Sequence, residues 1–366
     1  MKSKLCFVPA VLFVLLLQGC RKDDNKPSWQ WVKSPDNTLA GNYITSLVID
    51  VYGNKWFGTD KGLSVFNDTS WSNYNRSDGT KEHSLINGLS AESDDTVTNI
   101  WIATNHGASL LTFDRYCNMI KSADFVMSVV PLASDTVNNL FVDPKNIKWF
   151  LTNGGLSVFG SDWHMNVSSS VIFGDGIVIS GAFPEDGYKY AGRRIGGMIK
   201  FNYSEVDGVT GASEWYYPYN GDILDTVSYV YVSSKGELWL ACRGDAVNNP
   251  AIGTENFPKD GLMRHVGTDP KNPGNRTYFN TVTGGLVNNR INYITESPDH
   301  KIWAGSEGGV SYQIDENSFG NYTMKDGLVN SYVTCIAFDK DGSLWIGTKN
   351  GISHLKNNTF ENFTAR

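Results

Sequence analysis

The sequence predicts an all-β chain, a seven-bladed β-propeller of four-stranded antiparallel blades. The first observation is a short unit, cleanest at residues 339–355 (DKDGSLWIGTKNGISHL), that returns seven times along the chain. The second is its spacing: the anchoring aromatics Trp56, Trp101, Trp149, Tyr190, Trp239, Trp303 and Trp345 lie 41 to 64 residues apart, mostly in the forties. A period of about 40–50 residues filled with short strands indicates propeller blades. The third is size. Roughly 340 residues would be large for one ordinary core, but blades that pack mainly on their neighbours remove that difficulty.

Each part of the unit has a physical reading. Asp341-Gly342 is a tight-turn pair, and glycine takes φ > 0 there without steric cost. Leu344, Trp345 and Ile346 read as a strand whose indole wants a deep apolar slot and a partner for its N–H. Gly347 has no side chain and lets another backbone come close. Thr348-Lys349-Asn350-Gly351 is a second turn, and Ile352 to Leu355 the next strand.

In the first unit the four strands read as 43–50 (inner), 55–59, 63–66 and 71–75 (outer), and Ile44/Leu47/Ile49 suit a strand packed between blades. Radial closure leaves only short strand edges. Residues 28–32 (SWQWV) read as a lone strand. The chain also ends in an outer-type strand, 359–363, so one outer strand is surplus, and Trp29 and Trp31 are expected near the last blade, completing the ring. The unit of Tyr190 departs most, with paired Arg193 and Arg194, a longer third-to-outer connection over 202–213, and aromatics at Trp215, Tyr216, Tyr217 and Tyr219. The unit of Trp239 carries the largest insertion, 243–260, between its second and third strands; its Gly, Pro and Asn content marks an irregular loop.

The pattern D-x-x-G-x-[LI]-W-x-G-T-x-x-G-[LI]-S, followed by an aromatic strand and Lys325-Asp326-Gly327-Leu328, resembles the two-component regulator propeller repeat. That repeat is common in extracellular sensor halves of Bacteroidetes hybrid two-component systems. The resemblance covers about residues 40–366 and is strong around Trp56, Trp149, Trp303 and Trp345. It specifies fold better than function. Such regulators usually continue into an immunoglobulin-like domain, a membrane helix and a kinase. None is read here, so a signalling role would need a partner.

Residues 1–19 read as a signal peptide: Lys2 and Lys4 precede an apolar run, 7–17, too short to span a membrane. Leu17-Gln18-Gly19-Cys20 resembles a bacterial lipobox, which implies lipidation of Cys20. The alternative is an ordinary secretory signal cleaved nearby. Residues 20–27 read as a flexible tether, and Lys22-Asp23-Asp24 is similar to the surface-export signal of Bacteroidetes lipoproteins. The propeller is expected over 28–366. Without the signal, 29 basic and 38 acidic side chains give −9. An acidic chain has no electrostatic case for nucleic acid or an anionic bilayer, so its only membrane contact would be the lipid on Cys20. Cys117, Cys242 and Cys335 are odd in number and lack metal-type spacing, so they read as buried apolar side chains.

Chemistry-bearing patterns are sparse. The calcium reading of Asp339 to Gly342 lacks the further acids of an EF-hand loop. The six histidines show no metal spacing, although His106 and His265 are expected to flank second-to-third-strand loops. Streptogramin-lyase-like propellers use His and Glu there, but no such cluster is seen. There is no nucleophile elbow, Cys/His pairing or paired-carboxylate spacing, so no catalytic residue, metal or cofactor is assigned. Asp-Thr-Val recurs at 95–97, 135–137 and 225–227, each read as an Asx-type turn entering an inner strand; it is also similar to a Bacteroidetes O-glycosylation signal.

The second-to-third turns and outer-to-inner connections should gather around one mouth of the channel. There the candidate ligand-binding residues are Lys61, His106, Asn153, Arg193, Arg194, Arg243, Asp245, Glu307 and Lys349. Such polar, varied groups suit a hydroxyl-rich or carboxylated ligand, which arginine can grip with two hydrogen bonds; plain turn chemistry is the structural alternative. The expected function is non-catalytic binding of a glycan or oligosaccharide by an outer-membrane surface lipoprotein, feeding a sensing or uptake system. The alternatives are a protein-interaction scaffold in an envelope complex, with residues 215–219 as contact, and a propeller lyase.

Overall fold

The computed structural model describes residues 30–76, 85–160, 163–166, 177–185, 187–194, 197–204, 208–216, 226–243, 260–267 and 272–365, and only the backbone of 164–166, 208–216, 226, 243 and 273. Cys20 and the other N-terminal residues read as signal and tether lie outside that set. Among the described residues the strands form seven antiparallel sheets, one per blade. Blade 1 holds β1 (Trp31–Ser34), β2 (Ile44–Ile49), β3 (Lys55–Thr59), β4 (Gly62–Phe66) and β5 (Trp71–Arg76). Blades 2 to 7 span 86–125, 137–166, 178–216, 226–279, 291–322 and 333–363, each as four consecutive strands.

Every inner strand is kinked in the same place. The register slips across one residue near its start, at 44/46, 86/88, 137/139, 178/180, 227/229, 291/293 and 333/335. The extra residue is a β-bulge, which bends the strand and breaks strict alternation. Buried positions in β2 are therefore Ile44 and Leu47, three apart. The sequence pattern is not a simple period of two for this reason.

The glycine of W-x-G-T is a seat for the next blade. A Cβ on Gly58 would lie 2.6 Å from Ile86, on Gly305 2.6 Å from Val333, and on Gly347 2.7 Å from Ile44. What approaches at these three positions is the first inner-strand side chain of the following blade. Backbone approaches as well at Gly192, where Val227 O would be 2.9 Å away.

The ring closes without strand exchange. β1 pairs with β5, Trp31 opposite Arg76, as a fifth strand on blade 1. Trp31 is buried with Trp56 and Phe113, and its indole N–H donates to Ser109 of blade 2 at 3.1 Å. This corrects the expectation that Trp31 lies near the last blade; Trp29 lies outside the described residues. The reason is that blade 7 already owns its outer strand, Thr359–Phe363, and has no gap to fill. Closure comes from side chains and one loop backbone hydrogen bond instead. Thr334 Oγ1 donates to Ile44 O at 2.6 Å, Gly351 N to Asn42 O at 2.7 Å, and Phe57 and Phe66 pack on Trp345.

Three further expectations need correction. Residues 202–213 are not a long connection, because Met198–Ser204 and Gly208–Tyr216 continue as a ladder after a register shift. His265 closes a third strand, opposite Leu238, so it is buried at the end of the blade away from its second-to-third loop. Asp95-Thr96-Val97 enters the second strand of blade 2, Val97–Thr104, and the turn is made by Asp94, which accepts from Thr96 N and Val97 N. Cys117, Cys242 and Cys335 are buried, and among the described residues none forms a disulfide.

Candidate functional site

The mouth is built by two repeated devices. The first is the terminal residue of each second strand. Thr59, Thr104, Thr152, Ser306 and Thr348 donate through their hydroxyls to the glycine carbonyl three residues on, at 2.7–2.9 Å. Each hydroxyl also accepts the N–H two residues on, so it clamps the second-to-third turn. Arg193 and Arg243 occupy this position in blades 4 and 5. The first residue after the clamp then donates its N–H to the residue before the inner strand, as in Asp60 to Tyr43, Asn153 to Thr136, Arg194 to Ile177, Glu307 to Arg290 and Lys349 to Tyr332, at 3.0–3.1 Å. That bond brings the turn to the rim of the channel.

The second device is the bulge residue of each inner strand. Asn87, Asn138, Ser228, Asn292 and Thr334 donate to the first inner-strand carbonyl of the following blade at 2.6–2.9 Å. In blade 4 Ser180 does so instead, reaching Val227 O at 3.2 Å. These polar throat residues lace the ring and were not singled out from the sequence. Their signal was present, as a hydroxyl or carboxamide one residue into most inner strands. Asn87 and Asn138 also bond the side chains of Asn105 and Asn153.

Blade 1 is the exception. Thr45 stands at its bulge, yet Thr45 Oγ1 has no hydrogen-bond partner among the described residues, nor do Ser46 Oγ and Asp60 Oδ1. All three atoms are buried, where an unmade hydrogen bond costs about 1–3 kcal/mol. At the seam with blade 7, Lys349 Nζ lies 3.4 Å from the ring centroid of Tyr332. Tyr43 is 39% exposed. Burial first, then the charges of Tyr332, Cys335 and Asp60, raise its phenol above the ordinary value, so it stays a neutral donor.

The expected site residues divide accordingly. Lys61, His106, Asn153, Arg194 and Lys349 are exposed on mouth turns, and Glu307 is half-buried, 3.9 Å from Arg290. Arg193 is buried, 7% exposed, so it belongs to the blade interior more than to the rim. Arg243 is described in backbone only, opposite Thr226, and Asp245 lies outside the described residues, as do most of the insertion and residues 217–219. The expected residues therefore form a ring distributed over several blades. Reasoning from sequence missed Tyr43 and Tyr332, which the fold brings to the blade 7–blade 1 seam beside Asp60. Among the described residues no His/Cys/Asp/Glu group has the arrangement of a metal site.

Residues 327–350 match the model of the two-component regulator propeller family, so the last blade carries that repeat. The fold is similar to the extracellular domain of a putative hybrid two component system from B. thetaiotaomicron, at 21% identity and TM-score 0.63 over 90% of this chain and 41% of that one. It is similar to YCF48 bound to D1 peptide, at 12% identity and TM-score 0.60 over 93% of this chain and 98% of that one. A streptogramin B lyase structure aligns at 13% identity and TM-score 0.58 over 88% of this chain and 97% of that one. The chain spans about two fifths of the length of the first of these. At such identities the likeness speaks for the propeller fold. No curated protein matches the chain significantly.

Proposed function

We propose that this propeller is a non-catalytic binding module that takes an oligosaccharide at its mouth, on the blade 7–blade 1 seam. The observation that carries the reading is the group formed there by Tyr43, Asp60, Tyr332 and Lys349, two aromatic rings with a carboxylate and an ammonium beside them. A sugar supplies hydroxyls that bond such polar groups and an apolar ring face that lies on aromatic side chains. Lys61, Arg194 and Lys349 give the rim cations for a carboxylated sugar, as at any site where a fixed cation meets a carboxylate.

An outward-facing location agrees with the repeat in blade 7 and with the extracellular domain that shares the fold. Lipid on Cys20, with residues 1–19 removed and 20–27 as tether, belongs to the same reading. Among the described residues no helix is long and apolar enough to cross a membrane. An array of neutral and uronic-acid oligosaccharides, followed by calorimetry on Tyr43→Ala and Lys349→Ala, tests the proposal. Loss of about tenfold or more in affinity in either variant supports it. No glycan bound, or unchanged affinity in both variants, overturns it.

A further inference from the structure

The opposite end of the channel holds a different kind of site. A cavity of about 280 Å³ opens there between the inner strands of blades 3, 4 and 5. Its walls include Phe141, Phe183, Tyr229 and Tyr231, with Pro144 and Pro184 at the turns. None of the expected mouth residues lines it.

The hollow has a cause in the sequence. The fourth inner-strand residue is Leu47, Leu89, Leu140, Val230, Ile294 or Ile336 in six blades, and Gly181 in blade 4. The next residue is only Ala182, where blades 3 and 5 have Phe141 and Tyr231. The Phe183 ring folds back over Gly181, where an added Cβ would lie 2.6 Å from it, and stacks on Trp149 at 4.4 Å and 10°. That ring takes up part of the missing volume, and the cavity is what remains.

The lining also defines the chemistry. Among the described lining residues Asp143 is the one charged group, and both carboxylate oxygens are taken: Oδ1 accepts from Lys145 N and Ile147 N, and Oδ2 from Trp149 Nε1. Tyr231 turns its hydroxyl toward Glu296, and Tyr229 packs on Tyr293 with centroids 4.7 Å apart. Burial, with Tyr293 beside Tyr229 and Glu296 beside Tyr231, pushes both phenols up, so they stay neutral. A sugar would bring hydroxyls that find few partners, and an ion would find no countercharge.

We infer that this cavity is a second binding site, for a small uncharged molecule of one or two aromatic rings, stacked among Phe141, Phe183 and Tyr231. Its volume is at the small end for ligand pockets, which agrees with a bicyclic ligand and not a larger one. The site is independent of the oligosaccharide reading, because the two lie at opposite ends of the inner strands.

The probe is 2-naphthol, followed by calorimetry and by nuclear Overhauser contacts to the wild-type protein. Saturable binding with contacts to the Phe141 and Tyr231 rings is expected. Ala182→Leu should weaken binding about tenfold or more by filling the hollow, while Lys349→Ala at the mouth leaves it unchanged. Absence of saturable binding, contacts elsewhere on the protein, or equal affinity in a folded Ala182→Leu protein overturns the inference. Should Ala182→Leu not fold, the Overhauser contacts on the wild-type protein decide alone.

Discussion

Lys55 and Asp339 meet across the closing seam of the ring, Nζ to Oδ2 at 2.7 Å, with Lys55 only 2% exposed. The ammonium also reaches Asp68 at 2.5 Å and lies 5.5 Å from the ring centroid of Trp345. The same arrangement joins blades 2 and 3, where Lys148 pairs with Glu92 at 3.0 Å and stands 5.7 Å from Trp101. The closing seam is thus an ordinary blade-to-blade seam, which is why no exchanged strand is needed. Burial opposes the charge on Lys55, but its hydrogen bonds to Asp339 and Asp68 outweigh burial and raise its pKa.

Removing that ammonium should cost stability. Lys55→Met is expected to destabilise by about 2–3 kcal/mol, below the range for fully buried pairs, since Asp68 keeps its water. Urea unfolding of variant and parent checks it. A change near zero would mean that apolar packing alone closes the ring.

Asp50 is a junction in blade 1. Its carboxylate accepts from Tyr52 N, Asn54 N and Nδ2, Trp56 Nε1 and Thr98 Oγ1. Asp50→Ala leaves the buried Trp56 indole without its acceptor, at about 2–4 kcal/mol. In a Trp56→Phe background the same substitution should cost at least about 1 kcal/mol less, the coupling expected of direct partners. Strict additivity in the four-protein cycle would deny the link.

Gly347→Ala puts a methyl 2.4 Å from Cys335 Sγ and 2.7 Å from Ile44. Both neighbours are buried strand residues with little room to yield. A loss of about 1–3 kcal/mol follows from overpacking, read as a lower thermal midpoint. Removing the nearest atom restores it: Cys335→Ala in the Gly347→Ala protein should recover part of the loss.

His354 makes the last blade sensitive to acid. Its ring stacks on Trp345 at 4.1 Å and 11°, and burial, against the pull of Glu361 and Asp341, lowers its pKa. The folded pKa lies below the unfolded value of about 6.5, so the contribution is full above that pH and is lost as pH falls through the folded pKa. Stability should therefore decline just below pH 6.5, and His354→Gln should flatten that step. An unchanged pH profile in the variant would assign the step to another group.

The mouth lacing predicts a smaller effect. Asn292→Ala removes the bond to Val333 O and should cost about 0.5–1.5 kcal/mol. Because the lost contact lies between blades 6 and 7, amide exchange should quicken at the start of the Val333–Phe338 strand. Exchange that quickens only inside blade 6 would contradict the lacing.

How much was legible can be judged from single residues. Trp345, Gly347 and Thr348 announced a strand, a close approach and a turn, and all three are found, because each depends on contacts within a few residues or on the next repeat. Trp31 misled: an alternating aromatic strand fits any outer edge, and its sequence does not say which blade presents one. His265 misled because the strand that follows the insertion, Gly261–His265, ends on it, away from the loop. Lys61, Asn153 and Lys349 lie on second-to-third turns, which follows from their place in the repeat alone. Tyr43 and Tyr332 were missed because they come together only when the ring closes.

By itself, the sequence determined the number of blades, the strands within each and the end at which the polar turns collect. These are local and repeating properties, fixed by turn chemistry and by the spacing of aromatic anchors. Tertiary structure alone decided how the ring closes, that blade 1 leaves Thr45 and Asp60 unpartnered, and that Gly181 opens a cavity beside Phe141 and Tyr231. The physical reason is that each of these depends on residues from different blades, which circular closure brings to a common channel.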